Sequence, residues 1–185
     1  MKNIYSDEGV RTRLILAALD ELSYHGTADF SLRRVAISAQ VSCAAPYRHF
    51  KSKEDLIVET ARYITSKWSL LASEICAVRG SGSRELLSEL ATAAVKFWVA
   101  NGNFRSLLMP AAGSPLAEEM RAFDTPITEA ADAYLKARGK ASEDADIFKR
   151  RILAVIYGTV LLASTGKLDP AQAASTVKSE ILMII

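Results

Sequence analysis

Between Asp29 and Glu54 the only formal charges are five cations: Arg33, Arg34, Arg48, Lys51 and Lys53. Tyr47 and His49 stand among them, and Ser31, Ser42 and Cys43 add small polar groups. A stretch this rich in donors and free of carboxylates suits a phosphate backbone. Arg48 carries the planar fork that reads guanine. Tyr47 and Phe50 could instead be core residues, and for Phe50 that is the reading adopted.

Those groups need rigid elements behind them. Leu32, Val35, Ala36 and Ala39 recur at spacings of three and four, which predicts a short helix with one apolar face. Val41 lies beyond a turn, and Ser42 is placed to cap the next helix, on which Tyr47 and Phe50 share a side. The stretch 31–50 therefore reads as a helix-turn-helix. Before it, Val10, Leu14, Ala18 and Leu22 form a helical stripe widened by Ile15 and Leu19, with Gly26 as the terminating residue. Arg11 and Arg13 read as solvated charge on that helix, and Phe30 as a plug against the helical pair. After it, Ser52-Lys53-Glu54-Asp55 has the form of a capping box opening a long helix over 53–78. Lys53 and the first N–H groups of that helix are candidate anion contacts.

The arrangement Ile15, Ala18, Leu22, Gly26, Phe30, Ser31, Val35-Ala36, Ala39, Val41-Ser42, Tyr47, His49-Phe50, Lys53 and Leu56 resembles the TetR/AcrR family of bacterial transcriptional regulators. The likeness covers about the first third of the chain. It implies a three-helix DNA-binding head whose second short helix enters the major groove, with Tyr47 and His49 on phosphate and base edges left to Ser42, Cys43, Ala45 and Arg48. Three departures stand out. Gln40 replaces a usual glycine in the turn, Ala44 replaces a common glycine, and Pro46 replaces a branched apolar residue. Gln40 carries a strain cost if the turn needs positive φ, whereas Pro46 near a helix start loses at most one backbone bond.

Downstream no strand-like alternation occurs, and the fold class expected is all-α, with about nine helices. Helices are read over 84–100, 116–123, from Pro126 to near Gly139, over 143–165 with Ser142 as cap, and after Asp169-Pro170; 104–109 reads as a helical turn. The division expected is a head over 1–68 and a helical effector-binding and dimerisation domain over 69–185. The family resemblance implies an effector cavity in that domain. Its candidate lining is Trp68, Phe97, Trp98, Phe104 and Leu108, with Met109, Met120, Phe123 and Tyr134; equally, aromatic residues at helical spacing are core. Two short helices cannot hold an operator tightly alone, so a symmetric dimer is expected. Leu153, Ile156, Tyr157, Val160 and Leu161 wrap most of one helix, which predicts burial on two sides, one of them against a partner. Ala154 and Gly158 allow close approach, and Val177, Ile181, Leu182, Ile184 and Ile185 supply a second stripe. The competing reading makes all of these one subunit's core.

Composition narrows the classes. The 185 residues are 50% apolar and 24% charged, as in a soluble globular protein. A net charge of +2 is too small to point to nucleic acid, so the signal is local. The two cysteines, Cys43 and Cys76, have no metal-type spacing and suit a reducing compartment. Cys43 reads as a small residue facing DNA, or as a redox sensor; Cys76 reads as a core thiol. With two histidines, no phosphate-cradling glycine loop and no nucleophile elbow, neither enzyme activity nor a cofactor or metal is expected. The opening residues lack a signal-peptide pattern and the apolar run 152–163 is too short to span a bilayer, so a cytoplasmic protein is expected. The function expected is a homodimeric, sequence-specific repressor of operator DNA, released by a small apolar or aromatic effector. The alternative is a small-molecule-binding module whose head is no longer used.

Overall fold

The computed structural model describes residues 4–101, 107, 110–140 and 145–185. Among the described residues there are eight α-helices and no strand. They are α1 (Ile4–His25), α2 (Leu32–Ser38), α3 (Ala45–His49), α4 (Lys53–Val78), α5 (Arg84–Ala100), α6 (Pro115–Ala137), α7 (Ala145–Ser164) and α8 (Pro170–Ile184). The all-α expectation holds. Two compact units are present: Met1–Thr65 with Asn103–Met120, and Ser66–Gly102 with Arg121–Ile185. The expected turn over 104–109 and the Ser142 cap lie outside the described residues.

The first unit is built on the α1 stripe. Leu14, Ala18 and Leu22 are fully or almost fully buried, with Val35 and Ala36 of α2, Phe30, Phe50 and Leu56. Phe30 is the expected plug. Gly26 ends α1 at φ 66°, and its N–H donates to the Leu22 carbonyl at 2.9 Å.

In the second unit α5, α7 and α8 pack on one another. Leu87, Leu90, Ile152, Ile156, Val177 and Ile181 have no exposed surface there. Ser83 caps α5 by accepting from the Leu86 N–H at 3.1 Å. Gly82, at φ 73°, is required: a Cβ there would sit 2.9 Å from the Ala133 carbonyl oxygen. Asp169 caps α8 through the Ala171 N–H at 2.9 Å, with Pro170 at the first helical position as expected.

One expectation fails outright. The two helices read over 116–123 and from Pro126 are a single helix, α6, with Pro126 inside it. A proline in a helix interior costs about 3 kcal/mol. The apolar stripe Phe123, Ile127, Ala130, Ala131 and Tyr134 continues in register across it, however, and all five residues are buried. Burial of that stripe outweighs one missing bond, at about 1.5–3 kcal/mol for each large side chain.

Candidate nucleic-acid interface

The geometry begins with a cap. Ser31 is extended (φ −126°, ψ 115°), and its hydroxyl accepts from the Arg34 N–H at 3.4 Å, which starts α2. The end of α2 is a Schellman turn. The Val41 N–H donates to the Ala36 carbonyl and the Gln40 N–H to that of Ile37, both at 3.0 Å. Such a turn needs a left-handed residue at its bend, and Gln40 provides it at φ 56°, the one non-glycine with positive φ among the described residues. The strain expected of Gln40 is therefore present.

Ser42 does not cap α3 through its side chain. Ala44 is the cap residue and makes no side-chain hydrogen bond; the Ser42 contribution is its carbonyl, which accepts from the Ala45 N–H at 2.9 Å. α3 starts late because the Schellman bonds consume the preceding residues. Pro46 sits in its first turn, where no N–H bond is lost, and its carbonyl accepts from Phe50 at 2.9 Å.

Ala45, Pro46 and Phe50 are buried, whereas Ser42, Cys43, Ala44, Tyr47 and Arg48 are exposed and His49 is half-buried. Tyr47 is 68% exposed, so its ring is not core. Ala45 is 8% exposed, which corrects its assignment to base edges: its methyl packs inward, and the small exposed residue beside it is Ala44. Arg33 projects from α2 as expected, but Arg34 does not join it. The Arg34 guanidinium is paired with Glu21, with Nε at 2.8 Å, and with Asp29. The Glu21 hydrogen bond raises its proton affinity against desolvation, the next largest effect, and the charges of Glu21 and Asp29 add to the rise. Glu21, 7% exposed, also accepts from the Ser31 N–H at 2.9 Å. Its place on the buried side of α1, three residues after Ala18, is the sequence signal that could have disclosed it.

The start of α4 is fixed by a modified capping box. The Asp55 N–H donates to Ser52 Oγ at 3.1 Å, and the Asp55 carboxylate accepts from the Lys51 N–H at 2.8 Å rather than from Ser52. Lys53 turns toward the α1–α2 connection: its Nζ donates to the Ala28 carbonyl at 3.4 Å and lies 6.0 Å from the Phe30 ring centroid. Arg11 is not solvated charge. It pairs with Glu59 and lies 5.3 Å from the Phe50 ring centroid, and Glu59 in turn pairs with Arg62. Arg62 Nε also donates to Glu119 at 3.1 Å, so α1, α4 and the start of α6 share one ion-pair network.

The comparisons with known proteins agree with this geometry. Residues 14–60 match the family described as bacterial regulatory proteins, tetR family. Over these residues, which take in α2, α3 and the start of α4, the chain is similar to that family. The chain is 35% identical over 81 residues to the HTH-type transcriptional regulator BetI of Agrobacterium fabrum. That match takes in 43% of this chain and 38% of the relative, so the chain spans well under half of the curated relative it matches. Among solved structures, FadR from Bacillus subtilis in complex with stearoyl-CoA is 14% identical, with a TM-score of 0.78, covering 92% of this chain and 97% of that one. A Rhodococcus protein of unknown function is 25% identical, with a TM-score of 0.75 over 95% of this chain and 93% of that one.

The residues expected to line a pocket or an interface fall in different settings. Trp68, Trp98 and Phe123 are buried, with Phe123 stacked on Trp68 at 4.6 Å and 5.0 Å from Trp98, and Phe97 at 5.8 Å from both Trp68 and Phe123. The Trp68 indole N–H donates to the Phe123 carbonyl at 2.8 Å. These rings pack directly against one another. Tyr134 is buried in a different stack, against Phe148 at 5.7 Å and under Arg138. Met120 is buried within the first unit, while Phe104, Leu108 and Met109 lie outside the described residues. Of the interface residues, Val177 and Ile181 belong to the chain's own core and are unavailable to a partner. Leu153, Tyr157 and Gly158 are half-buried, and Ala154 and Leu161 exposed. The Tyr157 hydroxyl donates to Asp124 Oδ1 at 2.7 Å. Burial raises the Asp124 carboxyl above its ordinary range against the effect of this bond, and burial first, then Asp124, pushes the Tyr157 phenol up. Cys76 is exposed, not core, and burial of its surroundings followed by Glu129 raises its thiol, which makes it a poor nucleophile. Among the described residues no cluster fit for a metal ion occurs and no helix is long and apolar enough to cross a membrane.

Proposed function

We propose that the chain is a homodimeric transcriptional repressor that places α3 in the major groove of its operator and leaves it on binding a small molecule. The observation that carries this reading is the split of the α3 region into a buried side of Ala45, Pro46 and Phe50 and a donor-bearing exposed side. On that side Tyr47 and His49 contact phosphate, Arg48 reads a base, and Arg33, Lys51 and Lys53 hold the flanking backbone. Ser31 acts by capping α2 and setting its angle.

The dimer is supported by α7, whose inward face is complete with Ile152, Ile156 and Val160 while Ile147, Leu161 and Leu162 stay about half exposed. Ala154 and Gly158 lie among them, and a Cβ on Gly158 would meet nothing within 4 Å in the single chain. Met183 of α8, 71% exposed, extends the apolar surface. The effector reading is supported by Trp98, whose indole N–H is buried and meets no hydrogen-bond partner among the described residues. An unmet buried donor of this kind costs about 1–3 kcal/mol, which an acceptor on an apolar ligand would relieve. Stearoyl-CoA, bound by the similarly folded FadR, is the first compound to try. α4, unbroken from Lys53 to Val78, would carry the change to the head. Half-sites lie about 34–36 Å apart, so a change of a few ångströms between reading helices costs contacts on one side.

Sedimentation of the protein with a duplex from upstream of its own coding region tests the reading. Two protomers per duplex are expected, with Leu161→Asp giving monomers that bind weakly. A single protomer per duplex, bound as tightly by the variant, would refute it.

A further inference from the structure

A cavity of about 710 Å³ lies in the first unit. Its lining comes from the α1–α2 turn, the start of α4 and the start of α6, all within that one unit. A volume of this size suits a small organic ligand. One wall is apolar, made by Ile57 and Val58 of α4 facing Pro110, Pro115 and Leu116. The rim carries Lys51, Lys53, Glu54 and Asp55.

The four rim charges are not equivalent. Asp55 is committed to the Lys51 N–H. Hydrogen bonds from its own backbone N–H and from Ser52 hold Glu54 below the ordinary carboxylate range. Both carboxylates are thus occupied by donors of the α4 start. Lys51 is exposed, and Lys53 spends one of its three N–H groups on the Ala28 carbonyl. The formal charges of the rim balance, and the N–H groups open to a ligand are those of Lys51 and Lys53, beside an apolar wall.

We propose that this groove is a ligand site of its own, taking an amphiphilic anion with its apolar body against Ile57, Val58 and Leu116 and its charge on Lys51 and Lys53. If those lysines also hold operator phosphate, as the proposed function states, the occupant competes with DNA directly; this second part rests on that reading. The site itself does not.

The test is calorimetric titration of the full-length protein with 4-phenylbutyrate, without DNA, and with 4-phenylbutanol as the neutral control. One anion per protomer is expected, with the alcohol weaker. Val58→Trp and Leu116→Trp, each checked for native helicity, should weaken binding about tenfold or more. Lys51→Ala should weaken it about two- to fivefold, as for an exposed ion pair. Lys178→Ala, exposed on α8 in the other unit, should leave it unchanged. Absence of binding, binding unaffected by both groove-filling variants, or equal binding of the alcohol would overturn the proposal. Added to an operator titration, 4-phenylbutyrate should displace wild type but not Val58→Trp from DNA. Binding without displacement would overturn the competition alone, and because the first titration holds no DNA, failure of the operator reading leaves its result standing.

Discussion

The α2–α3 region and the aromatic cluster of the second unit use their large side chains in opposite ways. Around α3 the big polar residues Tyr47 and Arg48 point outward, while small residues, Ala45 and Pro46, hold the interior. In the cluster Trp68, Trp98 and Phe123 are almost wholly buried and packed ring on ring. The head keeps its donors available and accepts a strained turn at Gln40. The cluster puts its surface into cohesion. Substitutions should therefore separate binding from stability according to region.

The largest effect expected is on stability in the second unit. Trp68→Ala should cost about 3–5 kcal/mol in denaturant unfolding, from lost burial and the cavity left behind. Arg48→Ala in the head should cost less than about 0.5 kcal/mol, as an exposed site. Comparable losses would break the contrast. Next in size is DNA binding. Arg48→Ala combined with Lys53→Ala should weaken operator binding about tenfold to a hundredfold and lower the salt slope by about 2. Trp68→Phe should leave that slope unchanged.

A smaller effect sharpens the account of the turn. Gln40→Gly relieves a left-handed residue, so it should raise stability by about 1 kcal/mol. A loss would mean that the Gln40 side chain contributes more than its backbone costs. The smallest effect concerns Asp124. Its folded pKa is raised by burial above the unfolded value, so the fold favours the protonated form. Stability from this group is greatest in acid and is lost as pH rises through the raised pKa. Asp124→Asn keeps an oxygen for the Tyr157 hydroxyl, so the variant should gain on wild type as pH rises through the raised pKa. A constant difference from pH 4 upward would contradict the assignment.

The same contrast explains what could be read from the sequence. The head was legible because its signals are local: the three-and-four spacing of Leu32, Val35, Ala36 and Ala39, the Gly26 stop, and the box after Ser52 all lie within a turn or two. The misses are tertiary. Whether Val177 and Ile181 face their own core or a partner depends on α5 and α7, far away in sequence. Trp68, Phe97 and Phe123 at helical spacing cannot say whether they enclose space or fill it. Pro126 read as a helix start because a local rule was applied where burial of α6 decides the outcome. Glu21 was overlooked because a carboxylate on a helix looks solvated until its partner, Arg34, arrives from another helix.

The most direct test of the central claim is fluorescence anisotropy of a labelled duplex from upstream of the coding region, titrated with protein at several salt concentrations. Saturable binding that unrelated competitor DNA cannot displace is expected, with a linear log–log salt slope that falls in the Arg48→Ala, Lys53→Ala protein. Weak binding, indifferent to sequence and identical in the two proteins, would contradict the account.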